Sequence, residues 1–132
     1  MKKKIYVGCS LTHAPEEFRE GVERLKTELR KHYTILDFLG LEKGTPQDVF
    51  EHDTQCVRDC ELFVAECSLP ATGVGYELGT ALALNKQVLA VAYKDAKVGR
   101  LLLGVTHPKY TFRRYDEMGE IVAMVKEKLE EV

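Results

Sequence analysis

The run Leu62-Phe-Val-Ala65 is apolar at every position and ends in a carboxylate, Glu66. A strand with one wet face alternates polar and apolar residues, so an unbroken apolar run must be covered on both faces, as in the centre of a parallel sheet. Parallel neighbours cannot be joined by a tight turn, and each pair needs a crossover long enough to hold a helix. The rest of the chain can be read against that requirement.

It meets it with alternating strands and helices. Lys4 to Cys9 reads as a first strand. Ala14-Pro15-Glu16-Glu17 opens a helix that carries Phe18, Val22, Leu25 and Leu29 at helical spacing to about Lys31. Tyr33 to Phe38 is a second strand, and Gly40 to Gly44 a loop. Thr45-Pro-Gln-Asp48 is a capping-box-like start for a helix to about Cys60. After the third strand, Leu62 to Glu66, a turn over Ser68 to Thr72 leads into a helix from Val74 to about Asn85 with Leu78, Ala81 and Leu82 on one side. Gln87 to Tyr93 is a fourth strand, Asp95 to Thr106 holds a short helix, and Lys109 to Phe112 is a short edge strand. Met118, Ile121, Val122, Val125 and Leu129 mark a last amphipathic helix. The series predicts one α/β domain over residues 1–132, a three-layer sandwich of the flavodoxin or Rossmann kind with a five-stranded parallel sheet and right-handed crossovers. Ligands in such sheets bind at the carboxyl ends of the strands, near the topological switch point. Attention therefore falls on the loops Gly8 to Ala14, Asp37 to Thr45 and Glu66 to Gly75.

Composition narrows the partners. A net charge of −2 with a pI near 6.1 gives no footprint for a nucleic acid polymer. Lys2-Lys3-Lys4 reads as a solvated start to the first strand, without the small-residue cleavage site of a secretory signal. No apolar stretch approaches the ~20 residues that span a bilayer, so no membrane partner is expected. Four scattered cysteines suit reduced thiols, and the cytoplasm is the expected compartment.

Several residue groups could carry chemistry. Gly73, Gly75 and Gly79 suggest a dinucleotide fingerprint, but its third glycine would fall at Leu78 and the motif would follow the first strand, so no cofactor is expected. A glycine-rich turn opening a helix still offers free amides to an anion. Glu77 falls in the first turn of that helix, where the dipole favours an ionised carboxylate; it is either a nucleophile or a plain helix-start acid. Asp53 shares a helix face with Val49, Cys56 and Cys60, which puts a carboxylate on an apolar stripe. It must be neutral, paired or facing a polar cavity. Two carboxylates at one pocket, Glu77 ionised and Asp53 raised in pKa, would be the arrangement of glycoside chemistry. Tyr6 on the first strand and Ser10 in the loop beyond could border the same pocket. His52, Cys56 and Cys60 recur at helical spacing but lack a full ligand set, so the cysteines read as reduced core residues and no metal is expected. Cys9 and Cys67 close their strands and could approach one another across the sheet; His13 and His107 have no orienting partner in sequence.

The stretch Val64-Ala-Glu-Cys-Ser-Leu-Pro-Ala-Thr-Gly-Val-Gly-Tyr-Glu-Leu-Gly79, followed by Asn85-Lys86, resembles the nucleoside 2-deoxyribosyltransferase family, and most nearly its 2′-deoxynucleoside 5′-monophosphate N-hydrolase branch. Ile5-Tyr-Val7, Ser10 and Glu51-His-Asp53 extend the likeness over most of the chain. The resemblance implies cleavage of an N-glycosidic bond through a covalent 2-deoxyribosyl intermediate on Glu77, with Asp53 assisting the leaving base and Tyr6 bordering the nucleophile. The base is then released to water or exchanged for another. It implies that Ser10 matches a serine that contacts the 5′-phosphate in that branch, while Thr12, Thr72 and the Gly73 to Gly75 amides could supply neutral donors there. It also implies a homodimer or larger assembly whose sites borrow residues from a neighbour. The chain departs from the branch where an arginine and two serines would surround the phosphate, carrying Thr12, Ala71 and Leu103. A nucleoside, or a nucleotide held differently, is thereby an expected substrate. The competing expectation is a non-catalytic nucleotide-binding or sensory domain of the same fold.

Overall fold

The computed structural model describes residues 1–130. Its five strands are β1 (Lys4–Gly8), β2 (Thr34–Leu36), β3 (Leu62–Glu66), β4 (Gln87–Tyr93) and β5 (Tyr110–Tyr115). Its five α-helices are α1 (Glu16–Arg30), α2 (Pro46–Asp59), α3 (Thr72–Ala83), α4 (Arg100–Leu103) and α5 (Ile121–Glu130), the last preceded by a 3₁₀ turn over Met118–Glu120. The strands are all parallel, in the order β2-β1-β3-β4-β5. The chain reverses its direction across the sheet once, between β1 and β3, which makes that gap the switch point.

Side chains leaving the two faces of the sheet build two separate cores. Ile5, Val7, Val64, Leu89 and Val91 meet Val22, Leu25 and Leu29 of α1 and Ile121 and Val125 of α5. Tyr6, Phe63, Ala65, Val88 and Ala90 meet Cys56 and Val57 of α2 and Val74, Leu78 and Ala81 of α3. β3 is buried at all five positions, as its apolar run requires. No described helix is long and apolar enough to cross a membrane.

Local chemistry fixes where the two helices of the second layer begin and end. Gly44, at φ +74, turns the chain into Thr45, whose hydroxyl accepts from the Asp48 amide while the Asp48 carboxylate accepts from the Thr45 amide. α3 ends where Asn85 takes a left-handed conformation at φ +62, with the Asn85 and Lys86 amides returning to the Leu82 and Ala81 carbonyls. The Lys86 ammonium then donates to the carbonyls of Arg58 and Cys60 at the end of α2. The two helices are thus tied at their C-terminal ends, opposite the site.

Four expectations shift. The second strand is three residues long, because the chain past Leu36 leaves the sheet to line a cavity. β5 runs on to Tyr115, three residues beyond the expected end, and pairs with β4 up to Tyr93. The short helix expected within Asp95–Thr106 is the single turn α4. Finally, α3 starts at Thr72, two residues before Val74.

Candidate active site

A cavity of about 690 Å³ opens at the carboxyl ends of β1 and β3, bounded by the loops after β1, β2 and β3 and by the N-terminal halves of α2 and α3. Glu77, Asp53, Ser10, Thr12, Ala71 and Gly73 all line it. Tyr6 lies beneath, 1% exposed, its ring stacked on Phe63 at 5.4 Å between centroids. Its hydroxyl donates to Oε2 of Glu77 at 2.5 Å. Gly75 is outside the lining: its amide turns inward to the Ala71 carbonyl as part of the first helical turn. Leu103 stands exposed on α4, away from the lining.

The early start of α3 alters the electrostatics expected for Glu77. With Ala71 at the N-cap, no acid stands in the first turn, and Glu77 falls in the second. The helix dipole acts mainly within the first turn, so its support for the charged form is weakened. Burial dominates instead and pushes the Glu77 carboxyl up to about 7; the Tyr6 hydrogen bond opposes this and the charge of Asp53 adds to it. The expectation of a plainly ionised Glu77 is therefore corrected: burial raises its carboxyl. The Tyr6 hydroxyl is itself driven far above its ordinary range by burial and by the charge of Glu77, so it stays protonated and acts as a donor.

Asp53 resolves its place on an apolar stripe by standing at the stripe's cavity end. One carboxylate oxygen accepts from the Leu39 amide at 2.9 Å, which ties α2 to the loop after β2. Beside that stripe, exposed His52 brings Nε2 to 2.8 Å from the Asp37 carbonyl, and the Cys56 thiol donates to the same oxygen. The Cys60 thiol donates to Val57. Cys9 and Cys67, expected to approach across the sheet, belong to the cores on its opposite faces, and burial lifts both thiols to about 12. His13 lines the cavity, whereas His107 accepts from the Lys109 amide in a distant loop.

Three features escape the sequence reading. The cavity mouth carries Leu41, Phe50 and Tyr76, all more than half exposed, with the Phe50 and Tyr76 rings 6.0 Å apart. Phe50 and Tyr76 occupy exposed faces of α2 and α3, and Leu41 stands in the loop after β2, so periodicity gives no reason to single them out. Gly8 faces Phe63 and Glu77 so closely that a Cβ there would lie 2.8 Å from the Phe63 ring and 3.2 Å from Oε1 of Glu77. Glu66, 2% exposed, accepts from the Ser68 amide, the Ser68 hydroxyl and the Tyr115 hydroxyl. A carboxylate ending a fully apolar strand was the visible sign of that last cluster.

A doubly wound parallel sheet with two carboxylates in one cavity at its switch point defines an α/β enzyme of the kind that works on small molecules. The chain belongs to the nucleoside 2-deoxyribosyltransferase family, whose model matches residues 5–127. A protein of Thermofilum pendens named provisionally as 2′-deoxynucleoside 5′-phosphate N-hydrolase 1 is 34% identical over 103 residues, 76% of this chain and 71% of that one. The human 5-hydroxymethyl-dUMP N-hydrolase is 29% identical over 131 residues, covering 89% of this chain and 74% of its own. Among solved structures, the CMP N-glycosidase of Clostridium botulinum superposes with a TM-score of 0.70 at 18% identity, over 94% of this chain and 99% of that one, a likeness of fold. Membership places the chain among enzymes that cleave or exchange N-glycosidic bonds.

Proposed function

We propose that this chain cleaves the N-glycosidic bond of a 2′-deoxynucleoside or its 5′-monophosphate through a covalent 2-deoxyribosyl ester of Glu77. The observation that carries the reading is the arrangement of Glu77, half-buried in the cavity wall and held by the Tyr6 hydroxyl, in one cavity with Asp53. An oxygen of ionised Glu77 attacks C1′ as the bond to the base breaks, and its electron pair leaves with the base nitrogen, which takes a proton from Asp53. Asp53 then removes a proton from water, or from an acceptor base, as it attacks C1′ and returns Glu77 to its free form. Tyr6 fixes which Glu77 oxygen is bonded and leaves the other, Oε1, for attack.

The test is release of free base from a panel of 2′-deoxynucleosides and 2′-deoxynucleotides, with and without an acceptor base, resolved by chromatography. Loss of a covalent nucleophile should lower turnover at least ~10³-fold in Glu77→Ala. A variant that retains its rate removes Glu77 from the mechanism. Because attack needs the ionised carboxylate, whose pKa stands at about 7, kcat/KM should fall as pH drops below that value.

A further inference from the structure

The charge of the cavity bears on which substrate it takes. Asp53 and Glu77 both line it, and among the described residues no lysine or arginine does. The neighbouring hollow beside α1 shares Cys9, Leu11 and Phe38 with it and brings in Arg19 and Lys43, but with Glu23 and Glu42 alongside, so the cations there are matched by acids.

If Glu77 attacks C1′ while Asp53 stands beside the base, the base lies toward Val49 and Phe50 of α2. The far end of the sugar then points toward the loops after β1 and β3. The polar side chains on that side are Ser10, Thr12, His13 and Thr72. A hydroxyl both donates and accepts, which matches another hydroxyl. A phosphate at pH 7 carries a charge of about −1.5 to −2 and only accepts, and proteins that hold it commonly use arginine or lysine. Bringing that charge into a cavity with two carboxylates adds repulsion, and it would press Glu77 further toward its protonated, unreactive form.

We propose that the substrate of this site is uncharged at its 5′ end: a 2′-deoxynucleoside, taken in preference to the 5′-monophosphate that the names of its relatives carry. The inference rests on the N-glycosidase reading above and narrows it. Ser10 and Thr12 recognise the 5′-hydroxyl, and selectivity comes from repulsion as well as fit.

The full chain is assayed with matched pairs, each 2′-deoxynucleoside beside its own 5′-monophosphate, and base release is followed at neutral pH. The expected result is a kcat/KM at least tenfold higher for the nucleoside. Faster release from the monophosphate overturns this inference and leaves the N-glycosidase reading standing. Release from neither overturns both. A second variant tests the cause: Thr12→Arg, on an exposed loop position, places a cation in the cavity. It should shift the selectivity ratio toward the monophosphate by about tenfold to a hundredfold, the worth of one charge-assisted contact. An unmoved ratio would mean that charge does not set the choice, and the inference fails.

Discussion

Gly8 shows how a single residue gives Glu77 its place. Its Cα lies against the Phe63 ring, and that ring is fully buried and stacked on Tyr6, the residue whose hydroxyl holds Glu77. A methyl group at this position cannot be absorbed by a swinging side chain, since Phe63 has no room to turn. Gly8→Ala should therefore cost about 1–3 kcal/mol of stability, as overpacking does in a dense core. It should also lower kcat by more than that loss of folded protein explains, because Oε1 of Glu77 is the next atom in the way at 3.2 Å. Thermal unfolding together with kcat on the folded fraction checks both parts. Normal stability and rate would show that Phe63 relaxes freely. In the sequence Gly8 is only the small residue that closes a strand. Its meaning depends on Phe63 and Glu77, 55 and 69 positions away, which no local pattern couples to it.

The elements were legible to different degrees, and the reason lies in what defines each. α2 was readable to its first residue, since Thr45, Pro46 and Asp48 form a capping box from groups within one turn. α3 was misplaced by two residues because its N-cap, Ala71, makes no side-chain capping bond that would announce it. β5 was cut short at Phe112 because two consecutive charges, Arg113 and Arg114, end the apolar run, whereas both sit on an edge strand, Arg113 paired with the Glu127 carboxylate and Arg114 donating to the Ala96 carbonyl. The ends of β3, β4 and β5 are joined by Glu66. Its two oxygens take the Ser68 amide, the Ser68 hydroxyl and the Tyr115 hydroxyl, while the Ser68 oxygen accepts from the Tyr93 amide. This cluster anchors the start of the loop that runs on to Pro70 and Ala71 at the cavity. Burial pushes the Glu66 carboxyl up, and the bonds from Tyr115 and Ser68 pull it back. Removing the acceptor strands buried donors, so Glu66→Ala should lower stability by about 2–4 kcal/mol, and Tyr115→Phe by about 1 kcal/mol. Denaturant unfolding of both variants measures this. A Glu66→Ala protein within 0.5 kcal/mol of the parent would show that the cluster ties nothing down.

At the scale of the whole molecule, strand order decides where chemistry can occur, and the unbroken apolar run of β3 marks the centre of the sheet. A strand buried on both faces needs a helical layer over each. The return of the chain past β1 to reach β3 opens the switch point that Asp53 and Glu77 share. What sequence could not supply is how deeply that gap desolvates the acid, because burial is a property of both layers together. Its consequence for stability has a definite sign. The folded-state pKa of Glu77 stands at about 7 against an ordinary 4.5, so the folded state binds this proton more tightly than the unfolded one. Stability attached to the protonated form is therefore present below pH 4.5 and is lost as pH rises through 7, reaching on the order of 2–4 kcal/mol. Glu77→Gln keeps an acceptor for Tyr6 and removes the charge. The variant should unfold at a temperature higher than the parent by roughly 5–15 °C at pH 8, with the gap closing toward pH 4.5, while its base release is lost. Melting curves across that range test the assignment without reference to any substrate. A variant no more stable than the parent at pH 8 would mean that the carboxylate is solvated in place, and that the molecule does not hold Glu77 at a cost to its own fold.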